Sequence, residues 1–228
     1  MTTIRWPDDV LRAQNISFDL DSRSLAGPAS VSGATQVISS DSGLWKAIFG
    51  SVIVKSRQAV LAHRAIAALL EGRLGSILIP LCRGYGPSSG AVLSEDEKAL
   101  FAQVPHGDDA FFDDDTGYVG SLTNVVLAAN AAVRATTLHV TVNYAADDIQ
   151  PGMHFSLGEG RLYRIRSFDA VTGTMTIRPP LREAVTAGDV LNFDDPCCRM
   201  RLMNDDGMDL ELALRRFGTP TVQFIEDV

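Results

Sequence analysis

The segment Gly86-Pro-Ser-Ser-Gly90 has the G-x-S-x-G spacing of a hydrolase nucleophile elbow. In such an elbow a sharp strand-to-helix turn exposes the serine hydroxyl for attack on a substrate carbonyl. Here Pro87 directly precedes Ser88, and no doubly wound pattern of strands and helices surrounds the segment. Because the motif carries little weight without that context, we interpret residues 86–90 as a loop. A serine hydrolase acting through Ser88 is therefore a weakly supported hypothesis.

An acidic stretch, residues 105–117, could offer carboxylate oxygens to Ca²⁺. Its aspartates are Asp108, Asp109, Asp113, Asp114 and Asp115. The best alignment with a calcium loop, Asp113-x-Asp115-x-Gly117, lacks the later ligands and the terminal glutamate. We therefore interpret the stretch as a solvated acidic loop or as an ion-pairing surface for a neighbouring subunit. Phe111 and Phe112 could anchor this stretch on the neighbouring subunit as an extended segment.

The histidines are distant from one another along the chain: they are His63, His106, His139 and His154. A general base needs a positioned partner, and this spacing supplies none. We interpret all of them as structural or surface residues.

Cys197 and Cys198 adjoin Arg199, and a neighbouring arginine favours the reactive thiolate, which keeps a thiol enzyme as a hypothesis. A strand with one buried thiol is the simpler interpretation. Together with Cys82 the pair matches neither a disulfide framework nor a zinc site, which suits a reducing cytoplasm. The sequence also has no Gly-rich phosphate loop. It therefore predicts no catalytic, cofactor-binding or metal-binding residue, and a chain that is not an enzyme.

The stretch Trp45–Leu81 reads as strand, helix and strand. Ser56 is a helix N-cap, Gly72 is the predicted C-cap, and no Gly or Pro interrupts the residues between 58 and 71. A helix over about 56–71 is predicted, whose apolar face contains Ala59, Ala62, Ala65, Ile66, Leu69 and Leu70. With Leu69 and Leu70 both pointing inward, Leu69→Asp is expected to cost several kcal/mol, because it buries an unpaired charge.

Short strands are predicted before this helix. Residues 15–21 alternate between apolar and polar, which indicates a half-buried strand. Residues 24–34 are predicted as a loop, 36–39 as a strand, and Ser40–Gly43 as a turn. Trp45 is predicted to lie in the core, whereas Trp6 could pack on its own domain or at an interface.

Residues 119–196 contain five or six short strands at roughly ten-residue spacing, which indicates a small closed barrel. They are predicted at 136–142, 154–157, 161–166, 175–178 and 188–193. The aromatic residues of this region could stack sugars, although most lie in strand patterns and are expected in the core: Tyr144, Phe155, Tyr163, Phe168 and Phe193.

The last residues return to strand patterns at 198–202, 208–214 and 221–226, with a turn at Asn204–Gly207. They resemble the N-terminal strands. We therefore predict a mainly β (α+β) chain with one main helix. A discontinuous β-sandwich-like hub, residues 1–118 plus 197–228, would contain a long loop at 83–117. A small β-barrel, residues 119–196, would be inserted in it.

The composition narrows the function classes. The chain has 228 residues, 46% of them hydrophobic and 21% charged, as is ordinary for a folded protein. No apolar run is long enough for a transmembrane helix, so no membrane insertion is predicted. A net charge of −8 argues against specific nucleic-acid binding, which needs clustered Lys and Arg.

Several segments together resemble tail-tip and minor tail proteins of siphophages and gene-transfer particles, the distal tail (baseplate hub) type in particular. They are Trp6-Pro7, "GATQV", the helix ending "LLEGRLGSILIP", "PGMHFSLGEGRLYRIRSF", "IRPPLREAVTAGDVLNF" and the tail "VQFIEDV". The resemblance covers nearly the whole chain in its order of elements. It implies a β-sandwich hub with one helix and an inserted barrel.

The resemblance implies a structural virion protein, made in the host bacterial cytoplasm and located at the tail tip. Its homo-oligomeric ring, expected to be a hexamer, would join the tail tube protein to the hub and fibre proteins, with DNA passing through the lumen. The alternative is a minor tail protein whose barrel binds host carbohydrate.

Overall fold

The computed structural model describes residues 4–81, 85–87, 103–104, 118–119, 123–145, 147–214 and 216–228. The described residues are mostly β: 46% of them lie in strands and they form one helix, which confirms the predicted mainly β, α+β class. Two compact units are formed, which we call the hub unit (residues 1–81 and 197–228) and the barrel unit (residues 82–196). The division falls after Leu81, not at residue 118.

The elements are, in chain order, β1 (Ile4–Arg5), β2 (Ala13–Ala26), β3 (Val37–Val52), α1 (Arg57–Leu70), β4 (Ile77–Pro80), β5 (Gln103–Val104), β6 (Tyr118–Val119), β7 (Thr123–Leu127), β8 (Thr137–Ala145), β9 (His154–Leu157), β10 (Arg161–Asp169), β11 (Thr174–Arg178), β12 (Val190–Leu191), β13 (Cys197–Leu202) and β14 (Val222–Glu226). In the described part of the chain, no helix is long and apolar enough to cross a membrane.

The hub unit contains one six-stranded sheet in the order β1-β4-β13-β14-β3-β2. The strands on either side of α1 are therefore not neighbours, because β13 and β14 lie between them. At the point where the chain leaves the hub, Pro80 at the end of β4 is the register partner of Cys197 at the start of β13. The chain thus leaves and re-enters the sheet on two adjacent strands, so the intervening residues are accommodated without breaking it.

The hairpin of β2 and β3 is longer than the sequence predicts. The predicted turn at Ser40–Gly43 is wrong, because β3 runs through it and the hairpin turns between Ala26 and Val37 instead. Asp21 pairs with Leu44 but Arg23 pairs with Ser40, so β3 has two more residues than β2 between these pairs. The turn-forming residues are accommodated as a β-bulge.

Three aromatic rings form the centre of the hub core. Trp6 contacts Phe49 and Phe224 edge to face, at centroid distances of 5.3 and 5.5 Å. The Trp6 Nε1–H group donates to the backbone oxygen of Leu11 at 3.1 Å, so the one polar atom of the ring is satisfied. Of the two placements considered for Trp6, its own domain or an interface, the first is observed: Trp6 packs within its own unit and is 1% exposed.

Trp45 is fully buried, which confirms the prediction that it lies in the core. Its backbone N–H donates to a carboxylate oxygen of Glu226 at 3.1 Å. Glu226 is itself only 2% exposed, and a buried carboxylate needs such donors to offset its loss of water. This bond links the root of the β2–β3 hairpin to the C-terminal strand.

The helix begins as predicted, since the Ser56 hydroxyl accepts a hydrogen bond from the Ala59 N–H at 3.0 Å. It ends one residue earlier than predicted, because Glu71 takes the left-handed cap conformation (φ 46°) and Gly72 follows it. Its buried face consists of Ala59, His63, Ile66 and Leu70.

The prediction that Leu69 points inward is wrong. Leu69 is 60% exposed while Leu70 is fully buried. Successive residues of an α-helix are rotated by about 100°, so these two leucines cannot both face the sheet. The expected cost of several kcal/mol for Leu69→Asp, which assumed a buried side chain, therefore does not apply.

The barrel unit contains a six-stranded sheet in the order β12-β7-β8-β11-β10-β9, which is nearly closed into a barrel. Ser156 of β9 and Asn192, next to β12, exchange two backbone hydrogen bonds of 2.9 and 3.0 Å across the remaining gap. The interior is filled by apolar side chains from every strand of the sheet. Strand β7 is not predicted from the sequence, and β12 is shorter than predicted, because only Val190 and Leu191 pair with β7.

The predicted strand at 208–214 is wrong. This segment makes only an isolated bridge, between Ala213 and Phe217, around a turn. Because β4 and β14 already occupy both edges of β13, the residues after the Asn204–Gly207 turn cannot form a hairpin with β13.

The two adjacent leucines of α1 provide a matched test of this packing. Leu70→Ala is expected to lower the free energy of unfolding by about 2–5 kcal/mol, because it leaves a cavity in the core. Leu69→Ala is expected to change the free energy of unfolding of the monomer by less than about 0.5 kcal/mol, because its side chain is exposed there. Urea titration followed by circular dichroism measures both, and equal losses would show that the helix is rotated from the described orientation.

Candidate assembly surface

The tip of the β2–β3 hairpin, residues 24–38, stands out as a surface; we call it the arm. β3 pairs with β14 only from Lys46 to Phe49. Among the described residues the strands of the arm pair only with each other, with Leu25 opposite Ile38 and Ala26 opposite Val37. The arm is thus a two-stranded ribbon beyond the edge of the six-stranded sheet.

Neither face of this ribbon is covered within the described structure. Leu25 is 79% exposed and its partner Ile38 is 64% exposed, and on the other face Val37 is 60% exposed. Val31, in the turn, is fully exposed. Such a ribbon has marginal stability in water by itself, and a long apolar edge is a template for pairing with another chain.

The loop of the arm is ordered by its own hydrogen bonds. The Ser30 hydroxyl accepts from the backbone N–H of Ala34 at 3.1 Å, and the Ser30 N–H donates to the Ala34 oxygen at 2.8 Å. Gly33 has φ +81°, a conformation that suits glycine. These hydrogen bonds therefore fix the backbone of the loop that carries Val31.

The arm also differs from the rest of the chain in charge. No charged residue occurs from Ser24 to Ser40, although the chain has 28 acidic and 20 basic residues. Natural proteins commonly protect exposed sheet edges with charged side chains. The arm has no such charged side chain.

The structure describes only some of the residues that suggested chemistry. Ser88, the aspartates of 108–115, His106, Cys82 and the pair Phe111–Phe112 lie outside the described residues. His139 is exposed on β8, and His154 on β9 accepts a hydrogen bond at Nε2 from Arg164 Nε at 3.0 Å. Cys198 is fully buried beside the half-buried Cys197. Within the described ranges, no group of three or more His, Cys, Asp or Glu residues could hold a metal ion.

The aromatic residues of the barrel belong mainly to its core, as the sequence indicates. Phe155, Tyr163 and Phe193 are at most 2% exposed, and Phe155 lies 5.7 and 5.3 Å from the other two ring centroids. The Tyr163 hydroxyl accepts the backbone N–H of Arg182 at 3.0 Å. Phe168 packs against the same core, and Tyr144 is half-buried. These rings offer no open stacking platform for a sugar.

Two open clefts occur in the hub unit. One, of about 420 Å³, is lined by polar and acidic residues that include Asp206, Asp209 and Glu211. The other, of about 560 Å³, lies at the C-terminal end of α1, where Leu74 and Met203 line it. In the second cleft Arg73 donates two side-chain hydrogen bonds to Asp205, at 2.9 and 3.2 Å, and these bonds lower the pKa of the Asp205 carboxyl.

The chain matches no protein-family model and no curated protein sequence.

His63 provides a pH-dependent test of the hub unit. It is fully buried on α1, and neither ring nitrogen has a hydrogen-bond partner among the described residues. Burial lowers its pKa below the usual 6.5, so below pH 6.5 the unfolded chain binds a proton that the folded chain does not. The free energy of unfolding is therefore expected to fall as the pH drops from about 6.5 to the folded-state pKa, by up to about 1.4 kcal/mol per pH unit.

Urea titrations of the wild type and of His63→Leu between pH 7.5 and 5 measure this effect. The variant is expected to lose less stability on acidification than the wild type. Parallel curves would show that His63 is protonated equally in the folded and unfolded states.

Proposed function

We propose that the chain is a structural virion protein of the distal tail, or tail-tip, type. In this proposal it forms a ring, expected to be a hexamer, that connects the tail tube to the baseplate hub and fibres and leaves a lumen for DNA. The proposal makes it a non-enzymatic protein located in the virion.

The observation that carries the self-assembly part is the arm. An uncharged apolar ribbon that buries neither of its faces is costly for a monomer in water, because exposed apolar surface favours association. A second copy of the chain would cover it. Copies that associate through two different surfaces build rings when the rotation between them closes.

The tail-tip part depends on the sequence resemblance, and the order of elements supports it. The resemblance implies a β-sandwich hub with one helix and an inserted barrel. The one helix and the nearly closed six-stranded barrel agree with this arrangement, whereas the described hub strands form a single six-stranded sheet. The net charge of −8 suits a protein past which DNA must slide without binding.

The alternative, a minor tail protein with a carbohydrate-binding barrel, has less support. Sugar stacking needs exposed aromatic rings, and Phe155, Tyr163 and Phe193 are in the core. No specific observation favours this alternative.

The ring itself is the first test. Light scattering of the purified full-length chain, coupled to size-exclusion chromatography, is expected to give close to six times the 24.5 kDa chain mass. Electron microscopy of particles is then expected to show the ring at the tail tip. A monomer in solution, together with particles that assemble normal tails without this chain, would contradict the proposal.

The arm gives the second test. The double variant Leu25→Asp and Val31→Asp is expected to weaken self-association by at least about tenfold, because it places charges at an apolar contact. Its thermal unfolding should stay close to that of the wild-type protein measured as a monomer, since both side chains are exposed.

A matched control is Val171→Asp, which changes a 95% exposed valine in the barrel unit. It is expected to leave the ring intact. Self-association of the arm variant at wild-type strength would show that the arm is not an assembly surface.

A further inference from the structure

Helix α1 is apolar on two opposite sides. Its inner side packs in the hub through Ala59, Ile66 and Leu70. On the outer side Leu61 is 52% exposed and Leu69 is 60% exposed, and Ala65 and Ala68 between them are also exposed. Leu61, Ala65 and Leu69 follow one another at intervals of four residues and lie along one stripe, with Ala68 beside it. Exposed apolar side chains that adjoin one another form a surface that a partner can cover.

Beyond the C-terminal end of α1 lies the 560 Å³ cleft, which Glu71, Arg73 and Leu74 of the segment after the helix help to line. Leu74, which is 83% exposed, and Met203, which is 37% exposed, line this cleft. Methionine adapts its shape to an incoming apolar group. We call the outer side of α1 and this cleft together the acceptor face.

The charges on the acceptor face suit a second copy of this acidic chain. α1 contains no Asp or Glu, and Lys55, Arg57 and Arg64 on or beside it are exposed. Glu71 follows the helix, and Arg73 and Asp205 neutralise each other as an ion pair of 2.9 Å. Two copies with a net charge of −8 repel each other over most of their surfaces. The arm, which is uncharged, and the acceptor face, which has more basic than acidic groups, are surfaces where this repulsion is low.

We infer that the acceptor face of one copy binds the arm of the next copy. This inference depends on the proposed ring and names the two surfaces that make its repeating contact. Leu25, Val31 and Ile38 of the arm would cover Leu61, Leu69 and Leu74 of the neighbour, so that both apolar surfaces leave water. The contact is heterologous, because the two surfaces differ, and each copy uses one surface on each side.

Mixing two defective variants tests this directly. The arm variant is Leu25→Asp with Val31→Asp, and the acceptor variant is Leu61→Asp with Leu69→Asp. Each variant alone is expected to be a monomer. Mixed in equal amounts, they are expected to form a dimer of one copy of each, because the intact arm of one still fits the intact acceptor face of the other.

Three results would overturn the inference while leaving the ring in place. In all three the wild-type chain forms the ring. In the first the acceptor variant also forms rings, in the second the mixture of the two variants stays monomeric, and in the third the acceptor variant forms a dimer by itself. A wild-type chain that forms no ring would instead contradict the proposed function. Circular dichroism confirms that each variant is folded before mixing.

A second measurement introduces no charged residue. Leu69 is replaced by the photoreactive residue benzoylphenylalanine in the otherwise wild-type full-length chain, with Val171 replaced in the same way as the control. Illumination of the ring is expected to link residue 69 to residues 24–38 of another copy, identified by mass spectrometry. Links from residue 69 to any other segment of the neighbour would overturn the assignment.

Discussion

The hub unit depends on the insertion of two C-terminal strands, β13 and β14, between the strands that flank α1. Backbone N–H and C=O groups of a buried strand must be paired on both sides. β3 pairs with β2 and β4 pairs with β1 on one side, and each obtains its other neighbour from residues 197–228. The aromatic contacts of Trp6 with Phe49 and Phe224, and the bond from Trp45 to Glu226, also join the N-terminal segment and β3 to β14. The hub sheet therefore cannot form until residues 197–228 are present.

This constraint also explains how the barrel unit is accommodated. The sheet requires Pro80 and Cys197 to be register partners, and any insert whose ends can meet that spacing leaves the hub sheet intact. The barrel unit has its own apolar core and its own six-stranded sheet. Two units with separate cores can perform separate roles, and in the proposed ring the hub performs the self-association.

The surfaces of the hub reflect two opposing physical demands. A chain with a net charge of −8 stays apart from its copies in solution, yet the arm and the outer side of α1 expose leucine, isoleucine and valine without acidic neighbours within the helix or the arm. Charge over most of the surface would keep association specific, because only the arm and the acceptor face can meet without repulsion. Assembly through such a pair is selective without any single strong bond.

The sequence by itself determined the mainly β class, the one helix with its Ser56 cap, the burial of Trp45 and the core position of the barrel aromatics. These follow from local propensity and periodicity, which need no knowledge of distant partners. Tertiary structure decided what depends on pairing between distant segments. Residues Ser40–Gly43 have turn-forming types but lie in a bulge of the long hairpin. Strand β13 had no free edge left for residues 208–214. The orientation of α1 placed Leu69 in solvent and Leu70 in the core. The arm was missed for the same reason, because a stretch of small, uncharged residues reads as a loop until two strands pair across it.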